Sequence, residues 1–467
     1  MNLKTFPGGI HPPESKHFTE RKPIEDMPVP SLVVIPLQQH TGAPCEPLVK
    51  PGDEVKEGQK IGDSKSFVSA PLHSSISGKV SAIEPRPHPV IPKDVLSIVI
   101  EANSPQSTDH GQETTASKPW TVDRGPSTEL LTQLTPQQIK EKIREAGVVG
   151  LGGAAFPTHV KLSPPPEKKI DTVILNGCEC EPYLTNDHQL MLEKPAEILE
   201  GLKIILKVLG INRAFIAIES NKLDAIEKLR TTHDPQGRRT TNNDIHLAPV
   251  KTKYPQGAEK QLIKAILNRE VPGGGLPFDV GVIVQNVGTA FAIYEAVTSG
   301  KPLIERVVTV TGPGIKEPRN LRVRIGTPVS RVIEYCGGLI AGASSGPDFV
   351  GTFPKIIMGG PMMGIAQYTL DVPVIKGTSG ILVLNDVKEE KEGPCIKCGR
   401  CVDICPMYLM PNRIGDYAGI DIFERCKELG IMDCMECGAC AFVCASRRPL
   451  VHLIKYAKSR LAAAKKS

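Results

Sequence analysis

Cys395-Ile-Lys-Cys-Gly-Arg-Cys-Val-Asp-Ile-Cys405-Pro406 is matched further along the chain by Cys434-Met-Glu-Cys-Gly-Ala-Cys-Ala-Phe-Val-Cys444-Ala445. The two runs hold eight of the 13 cysteines in 467 residues. Three thiolates on one tight loop can bind three irons of one cluster, and the fourth, one helical turn further on, points to the other cluster. The spacing therefore predicts two [4Fe–4S] clusters with crossed ligation.

The crossed pattern gives each cluster four cysteine ligands. One set is Cys395, Cys398, Cys401 and Cys444, and the other is Cys405, Cys434, Cys437 and Cys440. Gly399 and Gly438 are expected to relieve crowding, because a loop around a cluster needs unusual backbone angles. The second run ends in Cys444-Ala445, where the first has a proline. Proline helps to fix the turn but is not needed for ligation, so Cys444 remains a predicted ligand.

Zinc and disulfide bonds are the alternative uses of these cysteines. Zinc takes four ligands, commonly as two Cys-x-x-Cys pairs, and an eight-cysteine double run fits that pattern poorly. Disulfides fit less well, because the first residues, Met1-Asn-Leu-Lys-Thr-Phe-Pro, contain no apolar signal region. Clusters of this kind transfer single electrons, so the two runs predict a redox relay.

The composition is that of an ordinary globular protein in a reducing compartment. Hydrophobic residues make up 40% and charged residues 23%, and the length suits about three domains. The net charge of +5 is too small to indicate nucleic-acid binding. The sequence has no uncharged apolar run of 18 residues, so we expect no transmembrane helix.

Local patterns divide the chain into six segments and predict a multidomain α/β plus β protein. Short β segments with turns come first, then a polar linker, then βα alternation, a strand-containing unit, the helical cysteine region and a basic tail. The predicted ranges are 1–102, 103–127, 128–300, 301–385, 386–450 and 451–467.

The first segment resembles the lipoyl/biotinyl barrel-sandwich family. The resemblance rests on Val49-Lys-Pro-Gly-Asp-Glu-Val and on Ser69-Ala-Pro-Leu-His-Ser-Ser-Ile-Ser-Gly-Lys-Val. Lys65 is the only lysine near the position of a carrier lysine, and the segment between the two halves is too short for the usual modification hairpin. A docking or structural β module is therefore preferred to a lipoylated carrier.

Two motifs in the α/β segment suggest a ligand site. In Gly147-Val-Val-Gly-Leu-Gly-Gly-Ala-Ala-Phe-Pro-Thr-His-Val-Lys161, the glycines allow backbone N–H groups to approach a phosphate, and the lysine adds a cation. An ordinary glycine-rich turn is the alternative. Glu179 and Glu181 directly follow a predicted strand, where ligands of α/β folds bind, although a solvated acidic turn would look the same. Cys178 and Cys180 are candidates for an extra metal site or, preferably, buried thiols.

A family resemblance unites these motifs. Gly150-Leu-Gly-Gly-Ala-Ala-Phe-Pro-Thr, Asn176-x-x-Glu-x-Glu-Pro182, Tyr254-Pro-Gln-Gly-Ala-Glu259 and Val284-Gln-Asn-Val-Gly-Thr289 are similar to the FMN site in the flavin subunit of respiratory complex I. The unit near 305–340 resembles that family's β-grasp (SLBB) domain. With Gly8-Gly-Ile-His-Pro-Pro13, the barrel-sandwich segment and a bacterial-ferredoxin-like double cysteine motif, the order of motifs resembles the RnfC family, found in Rnf (Rsx) ion-translocating electron-transport complexes.

The resemblance implies a peripheral subunit at the cytoplasmic face of the cell membrane. It would bind FMN non-covalently, exchange electrons with NADH, carry two [4Fe–4S] clusters and contact other subunits, with ferredoxin reached through a partner subunit. The cofactor-binding residues implied by position are Gly150, Gly152, Gly153 and Lys161 for the flavin phosphate and ring region, Asn176 and Asn286 for the flavin, and Glu179, Glu181 and Glu259 for the nucleotide.

Two alternative functions remain open at this level. Flavin and iron–sulfur cobalamin reductases of bacterial microcompartments are similar over the flavin and cluster parts, but the N-terminal segments argue against them. The other alternative function is that of a non-enzymatic electron-transfer module.

The C-terminal tail has seven cations after Cys444. It also has apolar residues at helical spacing, Leu450, Leu453, Ile454, Ala457 and Leu461. It predicts a helix that lies on a membrane surface, docks on a partner or packs on the cysteine region.

Overall fold

The structure is a computed structural model that describes residues 3–103, 133–233, 244–340, 354–385 and 391–464. Apart from Asn103, the predicted linker 103–127 lies outside these residues, as do the tail cations Lys465 and Lys466.

The N-terminal unit consists of two small antiparallel sheets packed on one apolar core. The sheet orders are β2-β8-β7-β4 and β3-β5-β6, whereas β1 joins a sheet of another unit. The core includes Val33, Ile35, Ile61 and Ile98. The strands are β1 Ile24–Asp26, β2 Leu32–Pro36, β3 Glu46–Pro47, β4 Glu54–Val55, β5 Lys60–Asp63, β6 Leu72–His73, β7 Gly78–Arg86 and β8 Val95–Ala102.

The alternation of β segments and turns in this unit also predicts a strand over residues 66–69, and this prediction is wrong. These residues form bends and loop, because the chain leaves the sheet after Asp63 to contact the α/β unit. Arg144 donates hydrogen bonds to the Asp63 carboxylate (3.0 Å) and to the Ser64 carbonyl (3.3 Å).

The α/β unit is a four-stranded parallel sheet with helices on both faces. Its strand order is β11-β10-β9-β12. Thr135 caps α1 with a capping box, in which Gln138 is the reciprocal partner. The strands are β9 Thr172–Gly177, β10 Arg213–Glu219, β11 Asp244–Val250 and β12 Val282–Asn286, and the helices are α1 Pro136–Glu145, α2 Thr158–Lys161, α3 Asn186–Glu193, α4 Pro195–Leu209, α5 Leu223–His233, α6 Glu259–Leu267 and α7 Val287–Thr298.

A mixed six-stranded sheet forms the third unit. Its strand order is β1-β14-β13-β17-β15-β16. Strand β1 belongs to the N-terminal arm, the segment that precedes β2, and pairs in parallel with β14. One short helix, α8 Val329–Tyr335, packs on this sheet through Val329, Val332 and Ile333. The remaining strands are β13 Glu305–Thr311, β14 Arg319–Arg324, β15 Lys355–Met358, β16 Ile365–Ala366 and β17 Gly380–Leu384.

The cysteine region is helical and forms its own small core. Both short helices inside the cysteine runs, α9 and α12, follow glycines with positive φ, +80° at Gly399 and +83° at Gly438. That conformation is the one expected for a loop around a cluster. The helices are α9 Arg400–Asp403, α10 Pro411–Ala418, α11 Phe423–Glu428, α12 Ala439–Phe442 and α13 Leu450–Ala464.

Helix α13 packs its apolar stripe on the cysteine region itself. Ile454, Ala457 and Leu461 are buried in one cluster with Ile414 and Ala418 of α10. Of the three placements predicted for the tail helix, this is the one that the structure contains. Within the described ranges, no helix combines the length and the apolar composition needed to span a bilayer.

Candidate functional site

The carboxyl edge of the α/β sheet brings together residues from both sequence motifs. β9 and β12 are neighbours, and Asn176 is in register with Asn286 at their carboxyl ends. The glycine-rich segment is fixed beside them, because the Leu151 N–H donates to the Thr289 hydroxyl (2.9 Å) on α7. We refer to this region, with residues 147–157, 176–181 and 286–289, as the carboxyl edge.

Glycine is required where the loop meets the strand end. A Cβ atom on Gly152 would lie 2.9 Å from the Asn286 amide nitrogen, so a larger residue would displace that side chain. A Cβ on Gly153 would meet nothing within 4 Å. Gly150 donates its N–H to the Phe156 carbonyl (2.8 Å), which closes the loop on itself. The loop thus presents an open backbone surface at Gly153 next to the two asparagines.

Both asparagines are held in fixed orientations. The Asn286 amide caps α7 by accepting from the Gly288 N–H (2.8 Å) and donates to the Asp187 carboxylate (2.6 Å). The Asn176 amide donates to the Gly257 carbonyl (2.8 Å) and accepts from the Cys178 N–H (3.0 Å). Contacts within the chain therefore fix both amides at the carboxyl edge.

Glu179 and Glu181, which follow β9 and which we call the acidic strip, have different structural partners. Glu179 accepts from the backbone N–H groups of Asp187 (2.7 Å) and His188 (3.2 Å) at the start of α3. Glu181 accepts from the N–H groups of Met362 (2.6 Å) and Met363 (3.0 Å) of the third unit. Burial raises the pKa of both carboxyl groups. Neither glutamate lies in a solvated turn, and Glu181 joins two units at the edge.

Lys161 and Glu259, predicted to bind different parts of the ligand, form an ion pair with each other. Their side chains remain 23% and 42% exposed. An anionic group that binds Lys161 would compete with Glu259, so the structure brings the two residues into one subsite at the mouth of the edge.

Cys178 and Cys180 are thiols inside the edge. Cys178 is buried, and the Cys180 sulfur accepts from the Gly257 N–H (3.3 Å). Burial raises the pKa of both thiols. Cys178 is therefore a buried thiol, as expected, and Cys180 is a partly buried one.

Sequence reasoning missed the buried charges that support the edge. The Lys16 ammonium donates to the carbonyls of Glu179 (2.9 Å) and Glu181 (3.0 Å), and burial lowers its pKa. The buried Arg306 guanidinium donates to the Leu151 carbonyl (3.2 Å), and burial lowers its pKa to about 10 although the Asp187 carboxylate opposes the shift. No local pattern marks these residues, since a lone charged residue in a sequence normally indicates a solvated position.

Tyr254 connects the carboxyl edge to the cysteine region. The side chain is 2% exposed, and its hydroxyl donates to the Cys437 carbonyl (2.6 Å). The same hydroxyl lies beside the Glu181 carboxylate. Tyr254 packs with Ile10, Cys437 and Ala439 in one apolar cluster. A continuous contact therefore runs from the acidic strip to the second cysteine run.

The eight cysteines of the two runs line two cavities. The inner cavity, beside Tyr254, measures about 390 Å³ with the space at its mouth, and the outer cavity measures about 350 Å³ on the same basis. The inner cavity is lined by Cys405, Cys434, Cys437 and Cys440, and the outer cavity by Cys395, Cys398, Cys401 and Cys444. The fourth cysteine of each run thus faces the cavity of the other run, as the crossed pattern predicts.

The cavities fit a multi-atom cluster better than a single ion. In the part of the chain that the structure describes, no group of three or more His, Cys, Asp or Glu side chains is arranged to hold one metal ion. Each set of four thiols surrounds a space instead of converging on a point, which suits a cluster of four irons and four sulfides. Cys398 is exposed, whereas Cys405, Cys437 and Cys440 are buried. The cysteines of the outer cavity therefore include an exposed one, whereas none of the four that line the inner cavity is exposed.

Three family profiles match consecutive parts of the chain. The RnfC barrel sandwich hybrid domain matches residues 4–105, the Nuo51 FMN-binding domain residues 143–295 and the SLBB domain residues 307–366. These matches confirm the kinds of unit predicted for the first three folded segments.

Full-length relatives match the chain from end to end. The C subunit of the proton-translocating ferredoxin:NAD(+) oxidoreductase complex of Clostridium ljungdahlii is 47% identical over 99% of this chain and 95% of the relative. The C subunit of the Na(+)-translocating ferredoxin:NAD(+) oxidoreductase complex of Acetobacterium woodii is 46% identical over 99% of each. Among solved structures, an air-oxidised NAD+-reducing [NiFe]-hydrogenase matches 73% of this chain and 64% of its own at 18% identity and a TM-score of 0.49.

Proposed function

This chain belongs to the RnfC family of ion-translocating oxidoreductase complexes, and we propose that it passes electrons between NADH and ferredoxin-linked carriers within such a complex. The proposed cofactors are non-covalent FMN at the carboxyl edge and two [4Fe–4S] clusters in the cysteine cavities. When bound, FMN supplies the conversion between the two electrons of a hydride and the single electrons that each cluster accepts.

The carboxyl edge supplies the groups that would hold FMN and the nucleotide. Gly150, Gly152 and Gly153 present loop backbone, and Lys161 supplies the cation for a phosphate. Lys161 is paired with Glu259, and an ammonium that turned from this carboxylate to the phosphate would leave Glu259 available to the nucleotide.

The strand ends and the acidic strip complete this assignment. Asn176 and Asn286 would contact the flavin from neighbouring strand ends, and their fixed amides support that role. Glu179 and Glu181 would face the nucleotide, and they are held by backbone N–H groups that lower the cost of burying a carboxylate.

The observation that carries the proposal is the contact of Tyr254 with both Glu181 and the Cys437 carbonyl. This contact supports an arrangement in which the inner cavity lies next to the proposed nucleotide site, so the cluster of Cys405, Cys434, Cys437 and Cys440 would exchange electrons with the flavin. The outer cavity, with the exposed Cys398, would exchange them with a partner subunit.

The proposed location is the cytoplasmic face of the membrane, reached through other subunits. The relatives are named as subunits of ion-translocating complexes, and the described part of this chain lacks a helix suited to spanning a bilayer. Peripheral attachment reconciles the two observations.

Anaerobic reconstitution tests the function directly. Protein loaded with FMN, iron and sulfide should show flavin absorption that bleaches on addition of NADH, two [4Fe–4S] signals in electron paramagnetic resonance, and NADH oxidation with a one-electron acceptor. Protein that binds no FMN and shows no bleaching would overturn the proposal.

The cobalamin reductase alternative is less well supported. The barrel-sandwich match and the relatives that cover the full chain favour the Rnf-type complex. The reconstituted protein should therefore reduce an artificial one-electron acceptor without any requirement for cobalamin.

A further inference from the structure

The N-terminal barrel-sandwich unit contacts the glycine-rich loop in a way that a carrier domain would not require. Its residues Thr41 and 60–71 lie along α1, the loop and α2 of the α/β unit. Thr41 donates its hydroxyl to the Ala154 carbonyl (2.7 Å) and its N–H to the Ala155 carbonyl (3.3 Å). Phe67 packs edge-on against the His159 ring of α2, with centroids 5.9 Å apart.

Other carbonyls of the loop are held by the third unit. The buried Lys376 ammonium donates both to the Gly147 carbonyl (2.7 Å) and to the Pro71 carbonyl (2.6 Å) of the barrel-sandwich unit. Arg306 donates to the Leu151 carbonyl (3.2 Å). The glycine-rich loop is therefore fixed through its carbonyl oxygens by two units other than its own.

This arrangement determines where the loop amides point. In a planar trans peptide the C=O and the N–H lie on opposite sides of the chain. Thr41 holds the carbonyls of Ala154 and Ala155, so the N–H groups of Ala155 and Phe156 are turned away from the barrel-sandwich unit. Successive N–H groups on one side form the concave donor surface that binds phosphate.

One residue of the loop adopts a strained backbone conformation that needs such support. Ala155 has φ of +50°, in the left-handed region. A non-glycine residue in the left-handed region costs free energy and persists where its surroundings hold it. The two hydrogen bonds from Thr41 are accepted by the carbonyls of Ala154 and of Ala155 itself, so the barrel-sandwich unit supports the strained position directly.

We propose that the barrel-sandwich unit is a clamp that positions the glycine-rich loop for the FMN phosphate, with Thr41 as its positioning residue. The inference rests on the proposed FMN site and assigns this unit a role in cofactor binding in place of a carrier role. Lys65 is exposed in the same loop as Phe67, and the clamp needs no modification of that lysine.

Thr41→Val tests the clamp, because valine has the shape of threonine and lacks the hydroxyl donor. Thr41 is exposed, so the variant is expected to fold. FMN affinity, measured by quenching of flavin fluorescence, should weaken by about two- to tenfold, the value of one hydrogen bond. Thr41→Ser keeps the donor and should stay close to the wild type. Ser81→Ala, on the exposed face of β7, controls for substitution elsewhere in the unit.

A second readout does not depend on flavin. Hydrogen–deuterium exchange of a peptide covering residues 150–156 should be faster in cofactor-free Thr41→Val than in the wild type, with exchange in α4 unchanged. Equal exchange in the two proteins overturns the clamp, and faster exchange with unchanged FMN affinity overturns its link to the flavin. Failure of the wild type to bind FMN overturns the proposed function and the clamp's role in cofactor binding together, whereas the exchange measurement still decides whether Thr41 holds the loop.

Discussion

The carboxyl edge draws its contacts from the whole chain, whereas the cysteine cavities are lined by residues 395–454 alone. Lys16 reaches the edge from the N-terminal arm, Thr41 from the barrel-sandwich unit, and Arg306 and Lys376 from the third unit. The cavities repeat one local motif twice. Substitutions in distant segments should therefore alter the edge, and the cavities should respond mainly to changes within the cysteine region and at its contact with Tyr254.

Cys437→Ser should give the largest effect and leave the edge intact. Loss of groups that merely support metal ligands costs about 10- to 100-fold, so loss of a ligand should lower NADH-driven reduction of a one-electron acceptor by at least about 100-fold. FMN content and NADH bleaching should be retained. Stopped-flow kinetics measure the bleaching and the acceptor reduction, and electron paramagnetic resonance measures the loss of the inner cluster. Cys426→Ser, a buried cysteine of the same region outside both cavities, is the matched control.

Glu181→Gln should damage the edge and spare the cavities. Glutamine can still accept from the N–H groups of Met362 and Met363 but carries no charge for the nucleotide. NADH oxidation should fall by about 10- to 100-fold, the range for hydrogen bonds to charged groups. Cluster signals after chemical reduction should not change. An unaltered rate of NADH oxidation would contradict the assignment of the Glu181 charge to nucleotide binding. A wild-type protein that oxidises no NADH would favour a module that only transfers electrons.

Tyr254→Phe tests the junction between the two regions. The change leaves the buried Cys437 carbonyl without its donor, which should cost about 1–3 kcal/mol. We expect a lower unfolding temperature and an altered signal from the inner cluster. Tyr456→Phe removes a hydroxyl that contacts Asp421 at the surface and should cost less than about 0.5 kcal/mol. Equal effects of the two variants would show that the Tyr254 hydroxyl does not connect the carboxyl edge to the cysteine region.

Per pH unit, the smallest expected effect is the dependence of stability on pH that Lys376 causes. Burial lowers the pKa of Lys376 to about 7 from an ordinary value of 10.5. Between these values the unfolded chain binds more protons than the folded one, so the stability of the wild type should rise with pH. It should rise by at most about 1.4 kcal/mol per pH unit.

Lys376→Met isolates that contribution. The variant lacks the titrating group, so its stability should rise less steeply between pH 7 and pH 10, as measured by thermal unfolding. Below about pH 7 the lysine is protonated in both states, and the difference between the two proteins should become constant. Parallel curves throughout would contradict the assignment of the pH effect to this lysine.

The cysteine cavities could be predicted from the sequence more completely than the carboxyl edge. The cysteine runs specify their partners through local spacing, so the grouping of Cys405 with Cys434, Cys437 and Cys440 could be predicted. The edge motifs could also be located, because Asn176 and Asn286 end buried strands.

The remaining features of the edge depend on long-range packing. The pairing of Lys161 with Glu259 joins residues far apart in sequence, and Lys16 and Arg306 are buried although isolated charges usually indicate solvent. The sequence patterns do not predict strand β11, since it contains Pro249, which a strand tolerates at the edge of a sheet, where β11 lies.

The N-terminal arm has a consequence for the order of assembly during synthesis. The Gly9 N–H donates to the Ile404 carbonyl, and β1 pairs with β14. Ribosomes add roughly 5–20 residues per second, so roughly 20–80 seconds separate synthesis of the arm from synthesis of its last contact. Until then the arm lacks part of its binding site. We expect the arm to close onto the cysteine region after translation, as one of the final steps of maturation.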